Sequence, residues 1–179
     1  MPDFLIVSLR CFFFIPHSPH REKLGWLEVV HLMAPSVMLN FDARQLHRKL
    51  MRDMAEAQVA DTGLIPDIAP EYVVFEDGYR DSPEWGSAVF FLADFMLRRY
   101  GDESGARLYY QSTMLPYMAY LLAQANQTAA PYILDYGLGD WCDANTIVSD
   151  DCSPDGQLTS TCSDCLIAFF RIVFNILFL

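Results

Sequence analysis

The sequence predicts an all-α fold made of antiparallel helical hairpins. Apolar residues recur at three- and four-residue spacing through most of the middle of the chain, which is the period of a half-buried helix. Helix start and stop residues, such as Ser82-Pro83-Glu84 and Gly101, bracket these stretches. No strand-rich region is visible beyond short apolar stretches such as Tyr72 to Phe75. Together these predict two consecutive helical pairs joined by a long decorated loop.

The first helix is expected over Glu22 to Leu39, where Leu24, Leu27, Val30, Leu32 and Met33 cover one face and Pro35 marks a kink or break. Asn40 is a candidate N-cap for the next helix, in which Ala43, Leu46, Leu50, Met54 and Ala57 form the apolar stripe. Lys49, Arg52, Asp53 and Glu56 then fall on its wet side. From Asp61 to Asp81 the residues Gly63, Pro66, Pro70 and Gly78 interrupt any helical period. Loops of that length are usually functional or disordered, and the aromatic content (Tyr72, Phe75, Tyr79) favours a folded functional loop. Ser82 as N-cap and Pro83 at the first position open a third helix that runs through Val89, Phe90, Leu92, Ala93, Met96 and Leu97 to Gly101. A fourth starts near Asp102 to Ser104 and continues to about Asn126, with Pro116 expected to kink it. Pro131 to Asp143 is glycine-punctuated loop.

Composition excludes more than it selects. The 179 residues suffice for one domain with a core, and the formal charge of −11 argues against nucleic acid or an anionic membrane as partner. The pair Arg98-Arg99 is too small for a basic patch and suits a helix end. The five cysteines (Cys11, Cys142, Cys152, Cys162, Cys165) form no regular disulfide framework, and the single CxxC pair lacks the second half of a zinc site. His17 and His20 beside Glu22 likewise lack further ligands, so neither metal nor cofactor is expected. Hydrophobic residues reach 53%, with much of the excess in two terminal segments, Leu5 to Ile15 and Cys165 to Leu179. The first is interrupted by Arg10 and has no clear signal-peptide cleavage site. The second, 15 residues containing Arg171, falls short of the roughly 20 needed to span a bilayer. Interfacial packing, burial, or translation across misassigned gene boundaries would each account for them, and the last fits their abrupt change of style. The compartment, extracellular or cytoplasmic, stays open. The sequon Asn126-Gln-Thr128 has meaning only in a secreted chain.

Three tryptophans stand where helices begin or loops end, each flanked by carboxylates: Trp26 by Glu22 and Glu28, Trp85 by Asp81 and Glu84, Trp141 by Asp140 and Asp143. Sugars offer flat apolar faces ringed by hydroxyls, so aromatic platforms with carboxylate acceptors suit them. Glycoside hydrolysis also needs two carboxyl groups, one of them protonated. A core tryptophan beside a helix-capping acid produces the same pattern, so the residues alone leave both readings open.

Four segments carry a family resemblance: Pro19-His-Arg-Glu-Lys-Leu-Gly-Trp-Leu-Glu28, Gly63-Leu-Ile-Pro-Asp-Ile-Ala-Pro70, Arg80-Asp-Ser-Pro-Glu-Trp-Gly-Ser87 and Gly137-Leu-Gly-Asp-Trp141. In order and spacing the chain resembles the bacterial and fungal α-L-rhamnosidases over roughly residues 17–143. The resemblance implies about a third of a six-hairpin α/α barrel, with the motifs on its inner rim. It further implies hydrolysis of terminal non-reducing α-L-rhamnose with inversion, a rhamnose-containing glycoside as partner, and no cofactor. By the same resemblance Glu22 is the general acid and Arg21 a substrate contact. Trp26, Trp85 and Trp141 are implied as walls of the rhamnose pocket, and Asp140 as a hydroxyl partner. Glu22 as a first-turn helix residue, and Arg21 as an ion-pair member, are the structural alternatives.

The sequence also departs from the family. The first motif usually opens Asp-Cys-Pro, whereas His17-Ser18 precede Pro19 here, so one substrate-binding carboxylate is missing. The general base of an inverting enzyme is expected outside this chain. The reading is therefore an apolar segment over 1–16, a partial catalytic domain over 17–143 and a divergent tail over 144–179. A catalytically inactive carbohydrate-binding or interaction fragment, or another six-hairpin enzyme such as a glucuronyl hydrolase, is the alternative. Self-association through exposed apolar surface is expected, because hairpins cut from a barrel lack lateral neighbours.

Overall fold

The computed structural model describes residues 24–76, 79–127, 133–134, 136–137 and 160–161, and within them the fold is helical as predicted. Helix α1 spans Leu27–Asn40 and α2 spans Arg44–Ala57. A single turn, α3 (Pro83–Gly86), leads into α4 (Ala88–Tyr100). The last helical rod is α5 (Ser104–Tyr109), a π turn (Tyr110–Met114) and α6 (Leu115–Ala125). A two-residue antiparallel ladder pairs β1 (Ile133–Leu134) with β2 (Ser160–Thr161). Tyr72 to Phe75 forms no strand.

Short connections fold the helices into two hairpins, α1–α2 and α4–α6, lying side by side. Contacts at the two ends fix their directions. His31 of α1 stacks on Phe91 near the start of α4, at 4.7 Å between ring centroids. Farther along, Met38 and Leu39 line one groove with Phe95 and Arg98, so α1 and α4 run parallel. Helix α2 starts where α4 ends: the Ala43 N–H donates to the Tyr100 hydroxyl (3.2 Å), and Arg48 pairs with Asp102 (2.8 Å). At its far end Gln58 Nε2 donates to the Thr113 carbonyl (3.0 Å), so α2 runs alongside the third rod in the same direction. The starts of α1 and α4 thus share one end of the layer.

Helix α4 is central. Val89, Phe90, Leu92, Ala93 and Met96 are buried, and its periphery is polar mainly in the last turn, where Arg98 pairs with Asp94 at 2.7 Å. A helix that is apolar on most sides must be enclosed by others, and α1, α2 and α5 all contact it. Helix α1 contributes Leu27, Val30, Ala34 and Met38. From the third rod come Met114, Tyr117, Met118 and Leu121. Gly101, with φ +61°, closes α4 in the left-handed conformation, its N–H donating to the Leu97 carbonyl at 2.9 Å.

Several expectations shift in detail. Pro35 does not break the first helix; it lies exposed within α1, on a face where water can serve the carbonyl that a proline cannot. Asn40 ends α1, its side-chain amide donating to the Ser36 carbonyl (2.8 Å), and Asp42 Oδ1 accepts the Arg44 N–H (3.3 Å) at the start of α2. The buried stripe of α2 is His47, Met51 and Met54, with Leu46 and Leu50 only half-buried. Asp53 belongs to that buried side rather than the wet one, neutralised by Lys49. The expected kink at Pro116 takes the form of the π turn just before it, where the missing proline N–H removes one rung of the helical ladder. The long loop divides in two: Gly63 to Ala69 is buried throughout, whereas Tyr72, Val73, Val74 and Tyr79 are exposed.

His47 is fully buried, and neither ring nitrogen has a hydrogen-bond partner among the described residues. Burial holds its pKa down at about 4, and His31 is lowered to about 4 by burial as well, against one hydrogen bond with the Glu84 carbonyl. A histidine with a depressed folded pKa binds its proton more readily in the unfolded chain, so folding stability drops as pH falls from about 6.5 to 4. For His47 alone the loss is about 3 kcal/mol at the bottom of that window. His47→Leu should flatten this limb: its denaturant midpoint should depend less on pH between 6.5 and 4 than that of the parent chain. An unchanged slope would mean that His47 is not a principal acid-sensitive group.

Candidate functional site

At the end of the layer where α1 and α4 begin, three carboxyl groups gather with two tyrosines. Asp67 is fully buried, while Asp81 and Glu84 are half-buried. Asp67 arrives there because its backbone ties two other segments together. Its carbonyl accepts the Leu27 N–H (2.9 Å), its N–H donates to the Arg80 carbonyl (3.1 Å), and its Oδ1 accepts the Ser82 N–H (2.7 Å). Beside it, Ile68 forms an antiparallel bridge with Trp26. One buried residue therefore joins the start of α1 to the turn that begins α3.

Close packing holds this junction. A methyl group at Gly86 would lie 2.2 Å from the Tyr117 hydroxyl and 2.8 Å from the Ile65 carbonyl, so the α3 turn can approach α6 only as glycine. At Gly25 the same atom would meet the Ala69 carbonyl at 2.4 Å. Both glycines lie in the motif segments and allow backbone to pass close to backbone.

Among the described residues no lysine or arginine is paired with these carboxyls. Arg80 points the other way, making two hydrogen bonds to Glu71 (2.7 and 3.1 Å), which pins the base of the long loop. Burial raises the Asp67 pKa to about 8, assisted by the negative charges of Asp81 and Glu84 and opposed by its bonds from Ser82. Asp81 is also raised by burial, against hydrogen bonds from Tyr120 and Tyr136 and the charge of Arg80. The Tyr120 hydroxyl donates to Asp81 Oδ2, and burial with that carboxylate keeps the phenol protonated far above neutrality. Gly137, at φ +122°, approaches closely, for a Cβ there would stand 3.2 Å from Glu84 Oε2. Near neutral pH such a cluster holds a proton on Asp67 and hydrogen-bonding carboxyls at Asp81 and Glu84. The described part of the cluster suits a neutral, hydroxyl-rich ligand.

The sequence-predicted residues fare differently. Arg21, Glu22, Asp140 and Trp141 lie outside the described residues. Trp26 is half-buried at the start of α1, stacked on Phe75 with 5.7 Å between centroids and 19° between planes. Trp85 is 3% exposed and part of the hydrophobic core. The two tryptophans thus meet different surroundings, one at the rim and one beneath it. Asp67, Asp81, Glu84, Tyr120 and Tyr136 were not among the predicted site residues. The first three do lie inside the motif segments quoted above, and Asp81 and Glu84 flank Trp85. That placement was the available signal. Among the described residues no group of histidines, cysteines or carboxylates has the arrangement of a metal site.

The profile of the bacterial α-L-rhamnosidase six-hairpin glycosidase domain matches residues 8–168, a wider span than the motifs delimit. The chain belongs to this family. It is 28% identical over 130 residues to an α-L-rhamnosidase of Formosa agariphila, a match covering 69% of the chain and 13% of that protein. It superposes on the structure of an α-L-rhamnosidase from Dictyoglumus thermophilum with a TM-score of 0.72 and 27% identity, covering 88% of the chain and 17% of that structure. The chain therefore spans about a sixth or less of these two rhamnosidases. Its helical hairpins are those of a six-hairpin glycosidase domain.

Asp67→Asn tests the junction. The unfolded carboxyl ionises near 3.8 and the folded one near 8, so between those values the folded chain holds more protons and its stability falls as pH rises. Asparagine keeps an acceptor for the Ser82 N–H and never ionises. The variant's thermal midpoint, relative to the parent, should therefore improve steadily from pH 5 to pH 8. Asp67→Ala should be less stable than Asp67→Asn at every pH, since it leaves the Ser82 amide without its acceptor. A parallel pH profile for parent and Asp67→Asn would refute the protonated-carboxyl assignment.

Proposed function

We propose that this chain supplies the acid side of a rhamnosidase active site, acting in hydrolysis of terminal non-reducing α-L-rhamnose from glycosides with inversion. The profile match over residues 8–168 carries this reading, because it spans all four motif segments. Glu22 is the general acid, delivering a proton to the glycosidic oxygen, and Arg21 and Asp140 hold sugar hydroxyls. Trp26 and Trp141 form the apolar walls of the pocket. Trp85 backs that wall from the core. Asp81 and Glu84 extend the polar lining, while Asp67, with no exposed surface, positions them. Inversion requires a second carboxylate to activate water on the opposite face of the sugar. In this reading that base lies outside this chain. The exposed Leu32, Met33, Leu39 and Phe41 of the first hairpin would be covered by further hairpins or by self-association.

The experiment is turnover of 4-nitrophenyl α-L-rhamnoside with the product anomer followed by NMR. The chain by itself should turn over at least about a hundredfold more slowly than a complete family enzyme, since base assistance is worth roughly 10²–10⁴. Whatever activity exists should release β-L-rhamnose first and should fall further in Glu22→Gln. Turnover equal to a complete enzyme would show that the base is within the chain, and release of the α anomer first would overturn inversion.

A further inference from the structure

At the end of the layer away from the carboxyl cluster, α1 and α4 leave a groove open between them. Pro35, Met38, Leu39, Phe95, Arg98 and Arg99 line it, and it encloses about 310 Å³. Leu39 is 73% exposed, and Phe41, just past the end of α1, is 58% exposed. Water thus meets an apolar cleft and two large apolar side chains within three residues of chain. Such a patch marks an interaction surface.

Charge picks out the same end. Arg48, Lys49, Arg52, Arg80, Arg98 and Arg107 each have a carboxylate partner, and Arg44 lies over the Tyr100 ring at 4.9 Å. Arg99 has neither among the described residues, although the chain carries 23 Asp and Glu against 12 Lys and Arg. Asp42 is its counterpart. It is exposed and makes no ion pair among the described residues, its Oδ1 accepting the Arg44 N–H at 3.3 Å. The two flank one contact: Asp42 precedes Ala43 and Arg99 precedes Tyr100, and the Ala43 N–H donates to the Tyr100 hydroxyl at 3.2 Å. One patch therefore holds an apolar groove, an exposed ring, an unpaired cation and an unpaired anion.

We infer that this face joins a second copy of the chain in a two-fold dimer. A two-fold interface sets one patch against itself, so every group must find its complement within that patch. This patch has both halves. The Phe41 ring of each copy enters the groove of the other, and Asp42 of each copy meets Arg99 of the other. Two ion pairs then stand at the rim of an apolar centre, the usual division of a protein interface. A foreign partner would account for the groove and Arg99 alone, whereas the exposed Phe41 and unpaired Asp42 beside them are what a second copy requires. The local charge permits the approach. The chain as a whole carries −11, but around the groove Arg44, Arg98 and Arg99 outnumber Asp42 and Asp94. The neighbouring Asp102 and Glu103 are balanced by Arg48 and Arg107. The carboxyl cluster lies at the opposite end of the layer, so the dimer leaves it open, and the inference stands apart from the rhamnoside reading.

Sedimentation equilibrium of the full chain over a concentration series tests this, with Arg99→Asp, Asp42→Arg and Phe41→Ala beside the parent. The parent should fit a monomer–dimer equilibrium. Each variant should dimerise only at concentrations at least about tenfold higher, because like charges then face each other twice or the groove loses its occupant. An equimolar mixture of Arg99→Asp with Asp42→Arg should dimerise at the parent's concentrations, since opposite charges again meet at both pairs. Mixing would not repair a folding defect in either variant. All three side chains are exposed, so the circular dichroism of each dilute variant should match the parent's. A parent that stays monomeric at every concentration overturns the inference, and so does a dimer that none of the substitutions weakens. Failure of the mixture to associate, or growth into species larger than a dimer, overturns the two-fold pairing as well.

Discussion

Asp67 sits where three stretches of chain distant in sequence must meet, and it holds them with its peptide N–H, its carbonyl and its side chain together. Backbone groups buried at such a junction cannot be left to water, and each lost partner costs about 1–3 kcal/mol. That demand explains why Gly63 to Ala69 runs through the interior although it is neither helix nor strand. The segment satisfies itself against neighbours: the Ala69 N–H donates to the Gly25 carbonyl and the Val59 N–H to the Leu64 carbonyl. The helices pack around this buried strap, and the position of α1 relative to α4 follows from it.

The same junction explains the electrostatics. Bringing the Trp26 and Ser82 segments together forces Asp67, Asp81 and Glu84 into one region, while Arg80 is turned to Glu71. Burial, with a smaller contribution from the repulsion of Asp81 and Glu84, favours the protonated form of Asp67. Tyr120 reaches the group from α6, so the second hairpin helps to enclose it. A polar cluster of this kind is a by-product of the architecture as much as an addition to it.

Much of this was legible in the sequence, for identifiable reasons. A long amphipathic run declared α2, and the Ser82-Pro83 start and Gly101 stop bracketed α4, because those signals are local and strong. Asn40 misled because it sits between two helices and can serve either; the structure uses it to close the first. His47 and Asp53 hid within the polar half of the α2 pattern because burial depends on what packs opposite, which periodicity does not encode. At the candidate site, two of the motif segments supply the three carboxyls, yet Trp85 is core and Asp67 organises the junction. Sequence spacing does not record which residue of a motif faces inward.

The π turn at Tyr110–Met114 has a consequence for the evolution of the fold. Such a turn holds one residue more than the α-helical path it replaces, so everything beyond it is rotated by about 100° relative to an uninterrupted helix. That phase brings Tyr117 against Phe90 and Tyr120 onto Asp81. Loss of a single residue between Tyr110 and Met114 would restore a regular helix and swing Tyr117 off Phe90 and Tyr120 off Asp81, while leaving the composition of the rod almost unchanged. The third rod is thus intolerant of length change at a place where its individual side chains, several of them exposed, look free to vary.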